Sequence, residues 1–303
     1  MATAQTGIFA QGTRSHYHLE LDAHPDASPS EIANALQKLR EPSVTSGGFN
    51  LVVGFSHRLW SRIAAPDAQP DDLREFATVA GTDGHSAPAT QHDIWIWVHG
   101  TGPDLALDAA RAIVAALQPV AELAVEQPCF VYRDSRDMTG FIDGTENPPV
   151  EDGPGVALIP DGLRGERGAY VITQKWIHDL ASFQAMKVPD QEAVIGRTKP
   201  DSIELADKPA SAHISRVVIE EAGEELEIYR RSTPYGTVGE HGLYFVAFSA
   251  DPSRYERMLA RMFDTAGEGV HDRLTEFSRP VSGAYYFAPS LNDLRELAGP
   301  EDG

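Results

Sequence analysis

The chain reads as an α+β protein made of two ferredoxin-like units, each an antiparallel sheet in the order βαββαβ with its helices packed on one face. Three observations predict this. Short runs of alternating apolar and polar residues mark strands, runs at helical spacing fall between them, and the same order recurs in both halves. The first unit is expected to span residues 1–152 and the second residues 153–303.

In the first half, His16-Tyr-His-Leu-Glu-Leu-Asp-Ala23 alternates as a strand, and the segment from Ser28 to Leu39 opens with a cap and continues at helical spacing. Phe49 to Phe55 and Asp93 to His99 are the next strands, Leu105 to Leu117 is an Ala-rich helix, and Ala121 to Tyr132 closes the unit. Pro66 to Thr90, with its Pro, Asp and Gly, reads as a loop with one short helix. In the second half, Gly168 to Trp176 is a strand followed by a helix around Leu180 to Ile195. Strands at Glu225 to Ser232 and Leu243 to Ser249, a helix at Pro252 to Phe263 and a strand at Gly283 to Ala288 complete the second copy. A helix-like Ser290 to Leu297 precedes a six-residue tail.

At 303 residues the chain can bury one large or two medium cores. Its 25 Lys and Arg against 45 Asp and Glu leave a formal charge of -20, which argues against nucleic acid and anionic membranes as partners. The single cysteine, Cys129, excludes an intramolecular disulfide and a multi-cysteine metal site, and no Cys-x-x-Cys-His is present to attach a haem covalently. Residues 1–10 contain no basic, apolar or twin-arginine leader pattern, and no window approaches the roughly 18 apolar residues of a membrane span. A cytoplasmic protein is expected.

Between the two copies lies Arg136-Asp-Met-Thr-Gly-Phe-Ile-Asp-Gly-Thr-Glu-Asn-Pro-Pro149. Gly140, Gly144 and Asn147 tolerate positive φ and the two prolines forbid a continuing helix, so the backbone must fold back and hold Asp143 and Glu146 in fixed directions. On the residues alone, an Asp beside Gly is equally a plain turn former. Further along, Ser211 to Glu220 alternates and, if extended, turns His213 to the side of Val217 and Ile219, where a core histidine and a ligand are both open readings. In Leu226 to Gly236, alternation places Arg230 with Leu226 and Ile228 and sends Arg231 to the other side, making Arg230 the buried cation. A cation there needs an anion, which a structural carboxylate or a site acid could supply.

Gly140-Phe-Ile-Asp143-Gly144 followed by Thr145-Glu-Asn-Pro148, together with His213, the Arg230 strand and Gly242-Leu-Tyr-Phe245 in that order, resembles the dye-decolorizing peroxidases and most resembles their compact B subgroup. The resemblance covers nearly the whole chain. It implies haem b held non-covalently in the second unit, with His213 as the proximal iron ligand and Asp143 and Arg230 on the distal, peroxide-binding side. It further implies that Arg197, in Val194-Ile-Gly-Arg-Thr-Lys199, pairs with a haem propionate, that Leu243 and Phe245 form the apolar distal wall, and that Asp272 orients the Nδ1 proton of His213. Ser232 departs from the pattern, since some relatives have Asn there.

The implied activity is reduction of hydrogen peroxide through a ferryl intermediate, with electrons drawn from dyes, phenolics or other small aromatic donors. An ionised Asp143, with an ordinary pKa of about 3.9, would act as the proton-moving base and give an acid pH optimum. Arg230 would stabilise the charge that develops as the oxygen–oxygen bond breaks. Bulky donors would be oxidised at the surface through aromatic residues such as Tyr285, Tyr286 or Trp176. A homo-oligomer is expected. Two other readings are a haem carrier or iron-release protein on the same fold, and a haem-free protein in which Asp143, Glu146 and His213 bind another metal or are structural.

Overall fold

The structure is a computed structural model of the chain and describes residues 2–39, 48–221 and 223–297. The predicted six-residue tail, residues 298–303, lies outside the described residues.

Both predicted copies are present, and they share one sheet order. The first unit contributes β1 (Ser15–Ala23), α1 (Pro29–Leu36), β2 (Phe49–Phe55), α2 (His57–Ile63), β3 (Ile94–Gly100), α3 (Pro103–Leu117) and β4 (Ala121–Phe130). The second contributes α4 (Gly153–Ala157), β5 (Ala169–His178), α5 (Leu180–Ala185), α6 (Val188–Ile195), α7 (His213–Val217), β6 (Tyr229–Arg230), β7 (His241–Ser249), α8 (Ser253–Met262), β8 (Ala284–Ala288) and α9 (Leu291–Glu296). In space the strands run β6-β7-β5-β8-β2-β3-β1-β4, all antiparallel. Counted within each unit, both halves read second, third, first, fourth, the ferredoxin-like order. The units join where β8 meets β2 at the single pair Phe287 and Phe55.

Local chemistry explains most boundaries. Ser28 caps α1 by accepting from the Glu31 amide while Glu31 Oε2 accepts from the Ser28 amide at 2.8 Å, a complete capping box. The helix predicted over 180–195 is two helices, because Met186 is extended and Pro189 sits in the first turn of α6. The predicted strand over 225–232 is regular only at Tyr229–Arg230, with Glu224–Glu225 in a separate two-residue pairing. α2, capped by Ser56, was not expected. The loop over 66–90 holds a 3₁₀ turn at Pro66–Ala68 and a hairpin of the short strands Val79–Ala80 and Ser86–Ala87.

Each sheet buries both faces. On the helix side, Leu19, Leu21, Ile94, Ile96 and Val98 pack under α3, while Ile172, Ala247 and Tyr285 pack with Tyr255 and Leu259 of α8. The opposite faces of the two units meet each other through Val52, Trp95 and Trp97 on one side and Val171, Tyr244, Val246 and Phe248 on the other. The polar half of the β1 alternation therefore does not face water, and His16, His18 and Glu20 are all buried. Glu20 accepts the hydroxyls of Tyr244 at 2.7 Å and Tyr286 at 2.6 Å, so one carboxylate of the first unit ties two strands of the second. Burial raises its pKa, and the two phenols oppose that shift. Among the described residues no helix is long and apolar enough to cross a membrane.

Replacing either tyrosine with Phe leaves the buried carboxylate one donor short. Tyr244→Phe and Tyr286→Phe are each expected to cost about 1–3 kcal/mol, measured as a lower denaturation midpoint; midpoints equal to wild type would show that the carboxylate does not tie the units.

Candidate active site

The motif turn is a short hairpin held at its base and at its tip. The Asp143 amide donates to Ser135 O at 3.0 Å, Arg136 and Ile142 form a bridge, and the Asp137 amide donates to Phe141 O at 2.9 Å. Gly140 at φ 93° makes the tip, where the Cβ of any other residue would approach Lys199 Cε to 2.8 Å. Arg136 staples this tip to the second unit: its Nη1 donates to Gly140 O and Lys199 O, both at 2.9 Å, and Nη2 to Pro200 O at 3.0 Å. Phe141 is buried against Phe183 and Val194 of α5 and α6.

Asp143 projects from the base of this hairpin. It is surrounded by protein yet half-exposed, as a carboxylate on a cavity wall would be, and burial raises its pKa above the ordinary value. The positive charge of Arg230 works against that rise, the negative charge of Asp137 adds to it, and His213 lowers it. Arg230 and His213 are thus each near enough to act on Asp143 electrostatically, although they lie far from it in sequence.

Arg230 owes its direction to strand register. It pairs with Ala247 across β6 and β7, so it shares a face with Ala247, Phe245 and Leu243. Gln174 and Trp176 of β5, paired with Phe245 and Leu243, belong to the same face. Leu243 and Phe245 are half-buried and pack against the helix-side core. The guanidinium of Arg230 has no hydrogen bond among the described residues. Asn147 clamps its backbone, accepting from the Arg230 amide at 2.8 Å and donating to its carbonyl at 3.1 Å. Asn147 is not at positive φ; its value to the turn is this clamp. Arg231 does fall on the other side, but that side is also covered by protein. Its guanidinium donates to Ile8 O and Ala10 O and lies over the Trp97 ring, so the alternation holds while the contrast between a buried and an exposed arginine does not.

His213 stands on no strand. It is the first residue of α7, and the extended reading of 211–220 fails because Ala212 and Pro209 start a helical turn, with the Arg216 amide donating to Ala212 O. Gly196 at φ 96° ends α6 and leaves room for Ile214 there, which seats α7 against α6. The His213 Nδ1 is 2.6 Å from Asp272 Oδ2. Asp272 is fully buried, accepts the Leu274 amide with Oδ1 at 2.9 Å and caps the 3₁₀ turn Arg273–Glu276. With Nδ1 engaged by a carboxylate, Nε2 is left as the open nitrogen of the ring.

Arg197 follows Gly196 directly. Its Nη1 donates to Ser202 O at 2.7 Å, and Nη2 pairs with Glu146 of the motif turn at 2.5 Å and with Glu204 at 3.5 Å. Its Nε is buried without a partner, as is Nε2 of Gln174. Sequence reasoning passed over Gln174 and Asp137 and read Asn147 only as a turn residue; Gln174 stands out only as a polar residue inside a largely apolar strand.

Two ferredoxin-like units thus bring an acid, a guanidinium and a carboxylate-backed imidazole toward one another. The comparisons agree. Residues 6–130 match the family description "Dyp-type peroxidase, N-terminal" and residues 134–293 match "Dyp-type peroxidase, C-terminal". The chain is 36% identical to the dye-decolorizing peroxidase of Rhodococcus erythropolis, covering 83% of this chain and 75% of that protein. Among solved structures it is similar to a dye-decolorizing protein from V. cholerae, with a TM-score of 0.89 at 36% identity over 97% of this chain and 99% of that one. It is similar also to a DypB variant of Rhodococcus jostii in complex with heme, with a TM-score of 0.87 at 33% identity over 95% and 96% of the two chains. The chain belongs to the Dyp-type peroxidase family, and the likeness to DypB agrees with the B subgroup.

Asn147→Ala would remove both backbone bonds to Arg230. It is expected to cost about 1–2 kcal/mol and to speed hydrogen exchange at the Arg230 amide; unchanged exchange would show that the strand pairing alone holds that residue.

Proposed function

We propose that the chain is a haem b peroxidase that reduces hydrogen peroxide and oxidises dyes, phenolics or other small one-electron donors, with the cofactor held non-covalently in the second unit. The carrying observation is the carboxylate-backed His213, whose Nε2 is open, within electrostatic range of Asp143, on which Arg230 also acts. The residues present fit the group. An imidazole with Nδ1 bound to a buried acid is suited to ligate iron through Nε2. The unpartnered Nε of buried Arg197 suits an added carboxylate such as a propionate, and half-buried Leu243 and Phe245 suit an apolar macrocycle edge.

Haem, when bound, supplies the redox chemistry; the chain supplies ligation, proton transfer and charge. In this reading His213 holds the iron, and Asp272 accepts its Nδ1 proton and strengthens it as a ligand. Asp143 takes a proton from one peroxide oxygen and delivers it to the other. Arg230 offsets the negative charge that builds on the oxygens as their bond lengthens. Leu243 and Phe245 limit entry to small molecules. We further propose that the first unit ends at residue 152, that the protein is cytoplasmic, and that it forms a homo-oligomer.

Asp143 must be ionised to accept a proton, so the reaction is lost as pH falls through its folded pKa. Burial sets that pKa above the ordinary 3.8, so the acid limb lies at higher pH than for a solvated Asp. Arg230→Ala removes the charge that lowers it, and the limb is expected to move to still higher pH in stopped-flow mixing with peroxide. Asp143→Asn is expected to slow the peroxide reaction by about 100-fold and to abolish the limb. Wild-type rates in both variants would remove these two residues from the mechanism. His213→Ala is expected to lose the haem Soret absorbance. A haem carrier would instead keep its pigment and consume little peroxide.

A further inference from the structure

The hairpin that carries Asp143 is gripped from a third direction, by residues with no assigned part in the reaction. Asp137 occupies one arm of the hairpin. Its Oδ2 accepts the Thr139 amide at 2.9 Å and the Thr139 hydroxyl at 2.5 Å, and its carbonyl accepts the Gly140 amide at 2.9 Å. Its other oxygen, Oδ1, is 3.0 Å from His178 Nε2, and His178 Nδ1 is 2.8 Å from Ser278 Oγ. His178 and Ser278 are directly paired across β5 and the short strand Ser278–Pro280. All three side chains are largely buried, with the imidazole 6% and the Asp137 carboxyl 15% exposed.

Hydrogen-bonding capacity orders this chain. Burial opposes ionisation of Asp137, but the His178 charge interaction, the His178 hydrogen bond and the Thr139 bonds outweigh it and hold the pKa down at about 2. An ionised carboxylate only accepts, so Nε2 of His178 donates to it, while Nδ1 pairs with the Ser278 hydroxyl. β5 is an interior strand of the sheet, so His178, its last residue, joins that strand to the hairpin. The remaining titratable groups around His178 are Asp179 next to it in sequence, Glu276 and Arg279 on the neighbouring segment, and His85 across a cleft of about 640 Å³ onto which His178 and Ser278 open.

We propose that His178 is a positioning residue for the peroxide reaction: acting through Asp137, it fixes the hairpin from which Asp143 projects. Arg136 holds the tip from the 197–204 loop, and His178 holds the arm from the sheet. Without the second grip the carboxylate of Asp143 keeps its neighbours but loses its direction. A misdirected base costs rate out of proportion to the stability lost. The inference rests on the reading of Asp143 as the proton-moving acid.

The test compares His178→Ala, His178→Gln and Asp143→Asn. In the haem-free protein, hydrogen exchange at the Gly140 and Asp143 amides is expected to rise at least ~10-fold in His178→Ala and to return toward wild type in His178→Gln, whose amide can still donate to Asp137. In the haem-loaded protein the peroxide reaction is expected to slow about 10-fold in His178→Ala and to stay within about two-fold of wild type in His178→Gln. Where His178→Ala does not fold, Ser278→Ala takes its place, with the same two measurements and a smaller change in the same direction. Wild-type exchange and rate in the alanine variant, or no recovery in His178→Gln, would overturn the proposal. A wild-type rate in Asp143→Asn would instead overturn the assignment of the acid itself.

Discussion

A single buried carboxylate sets the relation between the two units. Glu20 leaves β1 on the face that meets the second sheet and accepts from Tyr244 of β7 and Tyr286 of β8. Side chains alternate along a strand, so drawing Tyr244 toward Glu20 forces Leu243 and Phe245 to the opposite face. That is the face Arg230 shares through its pairing with Ala247. The wall of the candidate site is therefore fixed from behind, by an interaction that does not touch it. The cost is a carboxylate kept from water, and the two phenols are what offset it.

The same economy governs Asp143. An acid deep in protein drifts toward its neutral form, and a neutral carboxyl cannot take a proton. The structure answers with Arg230, whose charge lowers the affinity of Asp143 for its proton while Asp137 raises it. These opposed influences come from elements distant in sequence and are brought together only by the hairpin being held to the second unit. Arg136 contributes to that attachment with two bonds, to the backbone carbonyls of Lys199 and Pro200, which are acceptors whatever the neighbouring side chains.

Much of this was legible in the sequence, and the limits have physical causes. β2 was read at its true bounds because a mostly apolar run of seven residues bordered by Gly48 and Ser56 is short for a helix and long enough for a strand. The repeated order was visible because each unit needs its own amphipathic elements. The segment at 211–220 was misread because five residues are too few to separate a helical turn from alternation, and the deciding feature, the packing of Ile214 at Gly196, is tertiary. Asp272 could be matched to a role, yet its complete burial could not be foreseen from a polar-looking stretch. The burial of His16, His18 and Glu20 was not read from the sequence, since nothing local reveals that the second unit will cover them.

The contacts that escaped sequence reading share one property: their partners come from another unit or from distant positions. Asn147 matters through the backbone of residue 230, and Asp137 through a histidine 41 positions away. A turn motif records which backbone angles are allowed, so Gly140 and Gly144 were correctly marked. It does not record what grips the turn, because those donors lie on strands chosen for packing. The direction of Asp143 is therefore a property of both units together: the first ends in the hairpin, and the second supplies the strand and loop against which the hairpin is braced.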